Sequence, residues 1–279
     1  MIEKIGFMQG RLSPIVNGKI QSFPWNHWQD EFKEAHRIGI HKMEWTLDQE
    51  NLYDNPLMTK TGREVIKRQS SKYNVEVVSL TGDCFMQVPF WKATGSIEAA
   101  LIEDFRAIMK ACSTLNIKMI VIPLVDNGSL VSQIQEDKLV EILLKESQSL
   151  VDLGLRIAFE SDFTAVNLQR FIKRLPRELF GINYDIGNSA SLGFNVTNEF
   201  LHYGDRVINV HIKDRPVGGT TVPLGLGNAD FETVFKNLSL YEYQGNYILQ
   251  TARDSGGYHG EVIRDYLKMT NEWISLYEF

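Results

Sequence analysis

Cysteine is nearly absent: Cys84 and Cys112 are the only two in 279 residues. They lack C-x-x-C spacing and read as reduced thiols, which excludes a disulfide scaffold. Long apolar runs are missing as well. No stretch approaches the length that crosses a bilayer, and the opening MIEKIGFMQGRLSP carries no apolar signal region. The chain therefore reads as a cytoplasmic protein without a membrane partner. A basic stripe is also missing. The net charge is −6 with the positive residues scattered, which argues against a nucleic-acid partner. After the first apolar run stands Gln9-Gly10-Arg11-Leu12-Ser13-Pro14, with neither the G-x-G-x-x-G turn of dinucleotide folds nor a Walker loop. No low-complexity linker or shift of composition divides the chain, so residues 1–279 read as one domain, long enough to bury a core without staples.

What is present is alternation. Eight short apolar runs, KIGFMQG, KMEWTL, VEVVSLT, KMIVIPLV, LRIAFES, FGINYDIG, RVINVHIK and NYILQT, have the character of strands buried on both faces. Between them lie stretches with helical periodicity, among them WQDEFKEAHRIG, TKTGREVIKRQSSKY, SIEAALIEDFRAIMKACSTLN, KLVEILLKESQSLVDLG and TAVNLQRFIKRL, and the chain closes on GEVIRDYLKMTNEWISLYEF. Several helices stop at Gly just before the next strand, as at Gly39 and Gly154, the residue that most easily takes the left-handed cap conformation. Eight buried strands alternating with helices predict a (β/α)8 barrel, with an open doubly wound sheet as the rival.

In such a barrel the site lies where the strands end. The successive exits deliver Gln9 and Arg11, then Glu44 beside Trp45, then Asp83 and Cys84, with little from the fourth beyond Asp126. The later exits deliver Glu160, then Asp185 with Asn188, then His211 with Lys213, Asp214 and Arg215, and finally Gln250 with Arg253. Glu160, Asp185 and His211 each close an apolar run, where an ionisable group is costly unless it is paired or binds a metal. Three on successive strands would converge. Two carboxylates and an imidazole suit Mn²⁺, Zn²⁺, Co²⁺ or Mg²⁺. Taken singly, Glu160 could instead pair with a barrel cation and His211 could be a satisfied core histidine. Arg11, Lys213, Arg215 and Arg253 are placed to hold a phosphate or carboxylate on a substrate, with Glu44 and Asn188 as further substrate contacts. Asp214 and Arg215 could equally pair with each other. The stretch from Gly218 to Asn228 follows strand seven, where barrels often bind phosphate through backbone N–H groups.

The segments FESD, YDIGN, VHIKDR and PLGLGNADF resemble the sugar phosphate isomerase/epimerase family with the xylose-isomerase-like TIM barrel, and more narrowly its ketose 3-epimerase branch. The resemblance covers nearly the whole chain. It implies a divalent ion, most often Mn²⁺, held by Glu160, Asp185, His211 and the strand-eight residue, with the first and last also moving protons on opposite faces of the reacting carbon. The family has a second glutamate where this chain has Gln250, and commonly a histidine where it has Asn188. An amide is no base near neutral pH.

The function expected from these readings is a metal-dependent isomerase or epimerase acting on a small sugar or sugar phosphate through an enediolate, with Gln250 in place of the second glutamate. The alternatives are a barrel that binds a sugar-like ligand without catalysis, and a one-base dehydratase. A multi-zinc nuclease on a related barrel would need more histidines than the six present and a basic groove. The family resemblance further implies a homodimer or homotetramer.

Overall fold

The computed structural model of the protein describes residues 2–16, 18–254, 256–257 and 259–277. Eight parallel strands close into a barrel in sequence order. They are β1 (Ile5–Met8), β2 (Lys42–Thr46), β3 (Glu76–Thr81), β4 (Met119–Leu124), β5 (Arg156–Ser161), β6 (Phe180–Asp185), β7 (Val207–Ile212) and β8 (Asn246–Leu249). Closure is made where β8 pairs with β1, Ile5 opposite Tyr247 through Phe7 opposite Leu249. Each strand falls inside one of the eight apolar runs. Among the described residues no helix is long and apolar enough to cross a membrane.

Side chains alternate across each strand, and the two faces meet different surroundings. On β5, Ile157 and Phe159 join the large apolar cluster between strands and helices, whereas Ala158 joins a small separate cluster with Met119 and Val121. The barrel interior is therefore apolar low down. Towards the strand ends it turns polar, with Glu44, Ser79, Asn183, Asn209 and His211 all buried. Two register shifts set this layer. One between Met43 and Glu44 puts Glu44 opposite Ser79. The other, between Ile182 and Asn183, puts Asn183 opposite Asn209 and Asp185 opposite His211.

The α-helices among the described residues are α1 (Asp30–Ile38), α2 (Lys60–Tyr73), α3 (Asp83–Gln87), α4 (Gly95–Thr114), α5 (Gln133–Lys145), α6 (Ser147–Leu153), α7 (Ala165–Ile172), α8 (Ile186–Leu192), α9 (Val196–Tyr203), α10 (Phe231–Leu240) and α11 (His259–Tyr277). The single helix expected over KLVEILLKESQSLVDLG is broken into α5 and α6 at Glu146, whose carboxylate is taken by Arg106 of α4 at 2.5 Å. α10 carries Phe231, Val234, Phe235 and Leu238 on its buried face, a helical spacing that the sequence reading passed over. Residues 278 and 279 of the expected last helix lie outside the described residues. Trp45, Phe85, Phe90 and Trp91 are core side chains; both cysteines are buried and free.

Candidate active site

Asp185 ends β6, and Glu160 and His211 lie next to the last residues of β5 and β7, all three buried. Their potential ligand atoms lie within 4.8 Å of one another. His211 Nδ1 is 3.1 Å from Glu160 Oε2 and 3.9 Å from Asp185 Oδ2. The structure thus brings together the three residues that the strand-exit reading singled out. Asp185 also caps α8, accepting the Asn188 N–H at 2.8 Å, which fixes its carboxylate.

The other face of the imidazole is held from across the barrel. His211 Nε2 lies 2.7 Å from Glu44 Oε1, and neither side chain is exposed. Glu44 accepts further bonds from Ser79 Oγ at 2.6 Å, from Asn209 Nδ2 at 3.1 Å and from Thr81 Oγ1. Every oxygen of this carboxylate is therefore occupied beneath the site. Glu44, read from the sequence as a substrate contact, sits where it orients His211. Burial alone would lower the His211 pKa, but the flanking Glu44 and Glu160 carboxylates outweigh it and push it up to about 10. Burial alone would raise Glu160, but the bond to His211 and the charges of His211 and Lys213 hold it below its ordinary value. Asp185 is raised, by burial first.

The donors around the carboxylates form one network. Glu160 accepts from Asn183 Nδ2 at 3.1 Å and Asn188 Nδ2 at 2.6 Å. Lys213 Nζ reaches Asp185 Oδ2 at 3.1 Å, Asn188 Oδ1 at 3.1 Å and Gln250 Oε1 at 3.3 Å. Arg215 Nη1 donates to Asn188 Oδ1 at 2.7 Å and the rest of its fork grips the Gly219 carbonyl. The helix carrying Asn188 is braced from behind, where buried Glu199 accepts from Tyr184, Ser189 and Tyr203. Gln250 thus stands beside Asp185 through the shared ammonium. Asn188, expected as a substrate contact, is tied to Glu160, Lys213 and Arg215.

Asp214 and Arg215 do not pair. Asp214 is buried and accepts three backbone N–H groups of the following loop, from Gly225 at 2.8 Å, Gly227 at 2.9 Å and Ala229 at 3.1 Å. A Cβ built on Gly227 would come within 2.1 Å of Asp214 Oδ1, so only glycine allows this approach.

The seam between β8 and β1 completes the mouth. Arg11 is 3% exposed and donates to the carbonyls of Thr251 at 2.9 Å and Ile20 at 2.7 Å. Arg253 donates to the carbonyl of Ser13. Burial, reinforced by the neighbouring Arg253 charge, lowers Arg11 to about 9. Three residues that support the site were not singled out from the sequence: Glu31, Asn183 and Asn209. Glu31 of α1, fully buried, accepts the N–H groups of Gly10 and Leu12, each at 2.9 Å, and so shapes the loop that carries Arg11. Nothing in an ordinary helical first turn marks it. Asn183 and Asn209 carried a signal, each an amide flanked by apolar or aromatic neighbours within its strand. At the third exit Asp83 is pushed up to about 8, by burial first and then by the charges of Asp48 and Glu160.

The donor set suits a divalent ion. Two carboxylates and one imidazole face one another, and the imidazole is fixed by a carboxylate on its far nitrogen, the usual arrangement behind a ligating histidine.

The chain resembles several known proteins. It is 33% identical over 89 residues to a protein of Escherichia coli that carries the provisional name L-ribulose-5-phosphate 3-epimerase SgbU; the match spans 29% of this chain and 31% of that protein. A Haemophilus influenzae protein of the same name is 22% identical over 244 residues, 80% of this chain and 83% of its own. Among solved structures, the IOLI protein with a bound zinc atom superposes with a TM-score of 0.77 at 17% identity, covering 98% of this chain and 99% of that one. The D-allulose 3-epimerase of Methylomonas sp., in complex with D-allulose, gives a TM-score of 0.76 at 16% identity over 97% of both chains. At such identities the structures share the fold. The sequence profile of the xylose isomerase-like TIM barrel family matches residues 32–273, so the chain belongs to that family.

Proposed function

We propose that the protein is a divalent-metal-dependent isomerase or epimerase of a sugar or sugar phosphate. The observation that carries this reading is the convergence of Glu160, Asp185 and His211 at the C-terminal mouth of the barrel. The names of the relatives, an L-ribulose-5-phosphate 3-epimerase and a D-allulose 3-epimerase, support the same reaction class.

Glu160, Asp185 and His211 would hold the ion, Mn²⁺ first and Zn²⁺, Co²⁺ or Mg²⁺ otherwise, with Gln250 as a neutral fourth donor. The ion would supply Lewis-acid polarisation of a substrate carbonyl. The chain supplies the rest. Glu160 is kept ionised by His211 and Lys213, so it can accept a proton from the carbon beside the carbonyl. Its two amide donors, Asn183 and Asn188, fix the direction from which it does so. Lys213, whose Nζ lies 3.3 Å from Gln250 Oε1, sets a positive charge beside the negative charge that develops on substrate oxygen. Gln250 cannot take a proton, so a single carboxylate base serves this site. That favours a one-base transfer between adjacent carbons over a reaction using two carboxylates.

The test is solvent exchange. Metal-loaded protein in D2O should wash deuterium into the carbon beside the carbonyl of its sugar substrate, and Glu160→Gln should abolish this. Binding of sugars without any exchange would instead establish a barrel that recognises a sugar and performs no chemistry, the reading that the Gln250 substitution also supports.

A further inference from the structure

We propose that the seam between β8 and β1 binds a phosphate monoester on the substrate through the guanidinium groups of Arg11 and Arg253. This rests on the reading of the site as a sugar isomerase or epimerase and names the substrate class.

Each arginine reaches a carbonyl 240 residues away in sequence, Arg11 that of Thr251 and Arg253 that of Ser13, and barrel closure brings the two side chains to one place. Arg11 is locked by the carbonyls of Thr251 and Ile20 through Nε and Nη1. Its Nη2 has no hydrogen-bond partner among the described residues. Among the described residues Arg253 is held by the Ser13 carbonyl, and its Nε is buried with no partner there. Neither guanidinium has a carboxylate within 4.0 Å among the described residues. Each is depressed by burial, and Arg11 also feels the positive charge of Arg253. The one acid whose charge both feel is Glu31, and its oxygens are engaged by Gly10 and Leu12. Two neighbouring cations, Arg11 buried and Arg253 half-buried, whose charges no carboxylate among the described residues contacts, are costly alone and suit a dianion. A guanidinium fork matches phosphate oxygens in pairs. Two positive charges favour a phosphate dianion over a single carboxylate. Arg11 also senses the charges of Asp83 and Asp185, so the seam adjoins the carboxylate site. A sugar could then lie with its phosphate on the seam and its carbonyl over Glu160.

The customary place for phosphate in this architecture, the loop after strand seven, is closed. Its Gly225, Gly227 and Ala229 amides already hold the Asp214 carboxylate. A phosphate there would meet a fixed negative charge instead of free N–H donors. Arg215, the nearby cation, has its fork on the Gly219 carbonyl and Asn188.

Calorimetric titration of the full chain with inorganic phosphate tests this, with acetate as the carboxylate probe. Phosphate should bind the unmodified protein more tightly than acetate does. Arg253→Gln should weaken phosphate by about 10- to 100-fold, the loss of one charged contact. Arg253→Lys should retain part of the affinity, because the charge stays while the fork is lost. Arg215→Gln should change it by no more than about twofold. Among the described residues Arg253 is bound by one carbonyl, so its variants should fold; circular dichroism checks this, and a phosphate-dependent rise in melting temperature should be seen in wild type and not in Arg253→Gln. Phosphate binding that survives Arg253→Gln, that is lost in Arg215→Gln instead, that is weaker than acetate binding or that is undetectable overturns the proposal. Failure here with continued deuterium exchange on an unphosphorylated sugar removes only the phosphate site. Phosphate binding without exchange on any sugar phosphate removes the catalytic reading and leaves the site.

Discussion

Glu44 Oε1 lies 2.7 Å from His211 Nε2 across the interior of the barrel, joining β2 to β7 through two fully buried side chains. A charged pair so far from water is maintained because its remaining lone pairs are satisfied by Ser79, Thr81 and Asn209. Its consequence is orientation: the ring can turn only Nδ1 towards Glu160 and Asp185.

Glu44→Gln should therefore weaken divalent-metal binding by about 10- to 100-fold, the usual effect of losing the group behind a ligating histidine. The fold should persist, because the hydroxyls of Ser79 and Thr81 can rotate to accept from the new amide. Calorimetric titration of Mn²⁺ or Zn²⁺ into both proteins measures the difference. Equal affinities would show that Glu44 has only a packing role.

Gln250→Glu should tighten metal binding by about 1–3 kcal/mol through the added charge. Lys213 Nζ lies 3.3 Å from Gln250 Oε1 and will compete for the new carboxylate, so the gain should grow when Lys213→Met is added. The single variant should also acquire some 3-epimerisation of ketoses, since a base would face the second side of the carbon. Metal affinity that is flat in both variants would sink the view of Gln250 as a substituted ligand.

Glu31 gives a pH dependence of stability. Burial raises its carboxyl to about 7 in the folded protein, against an ordinary 4.5. Between these values the native state binds a proton that the unfolded chain has released, so stability falls as pH rises through the window and the loss is complete above about pH 7. The full effect is about 3 kcal/mol. Glu31→Gln should remove this slope while keeping one oxygen for the Gly10 and Leu12 amides. Denaturant unfolding of both proteins on either side of the window measures it, and parallel pH profiles would rule the effect out.

The sequence was legible wherever the information is local. Strands buried on both faces are continuous apolar runs, and all eight were recognisable as such. Glu160, Asp185 and His211 were legible for the same reason, since an ionisable group closing an apolar run is conspicuous. The helix expected over residues 138–154 is interrupted at Glu146, whose carboxylate meets Arg106, 40 residues away, a contact that local periodicity does not record. α10 was available in its 231, 234, 235, 238 spacing and went unread beside the glycine-rich loop before it.

The composition of each strand end was thus written in the sequence; its partners were decided by closure of the barrel. Glu44 could be found but not assigned, since its hydrogen bond to His211 spans 167 residues. Asp214 stood beside Arg215 and turned away from it, because three loop amides 11 to 15 residues on satisfy a buried carboxylate, while the Arg215 fork is taken by Gly219 and Asn188. Arg11 and Arg253 became neighbours only because β8 pairs with β1. Local pattern records which side chains must be buried, whereas the choice of partner for each buried charge is a property of groups brought together from opposite ends of the chain.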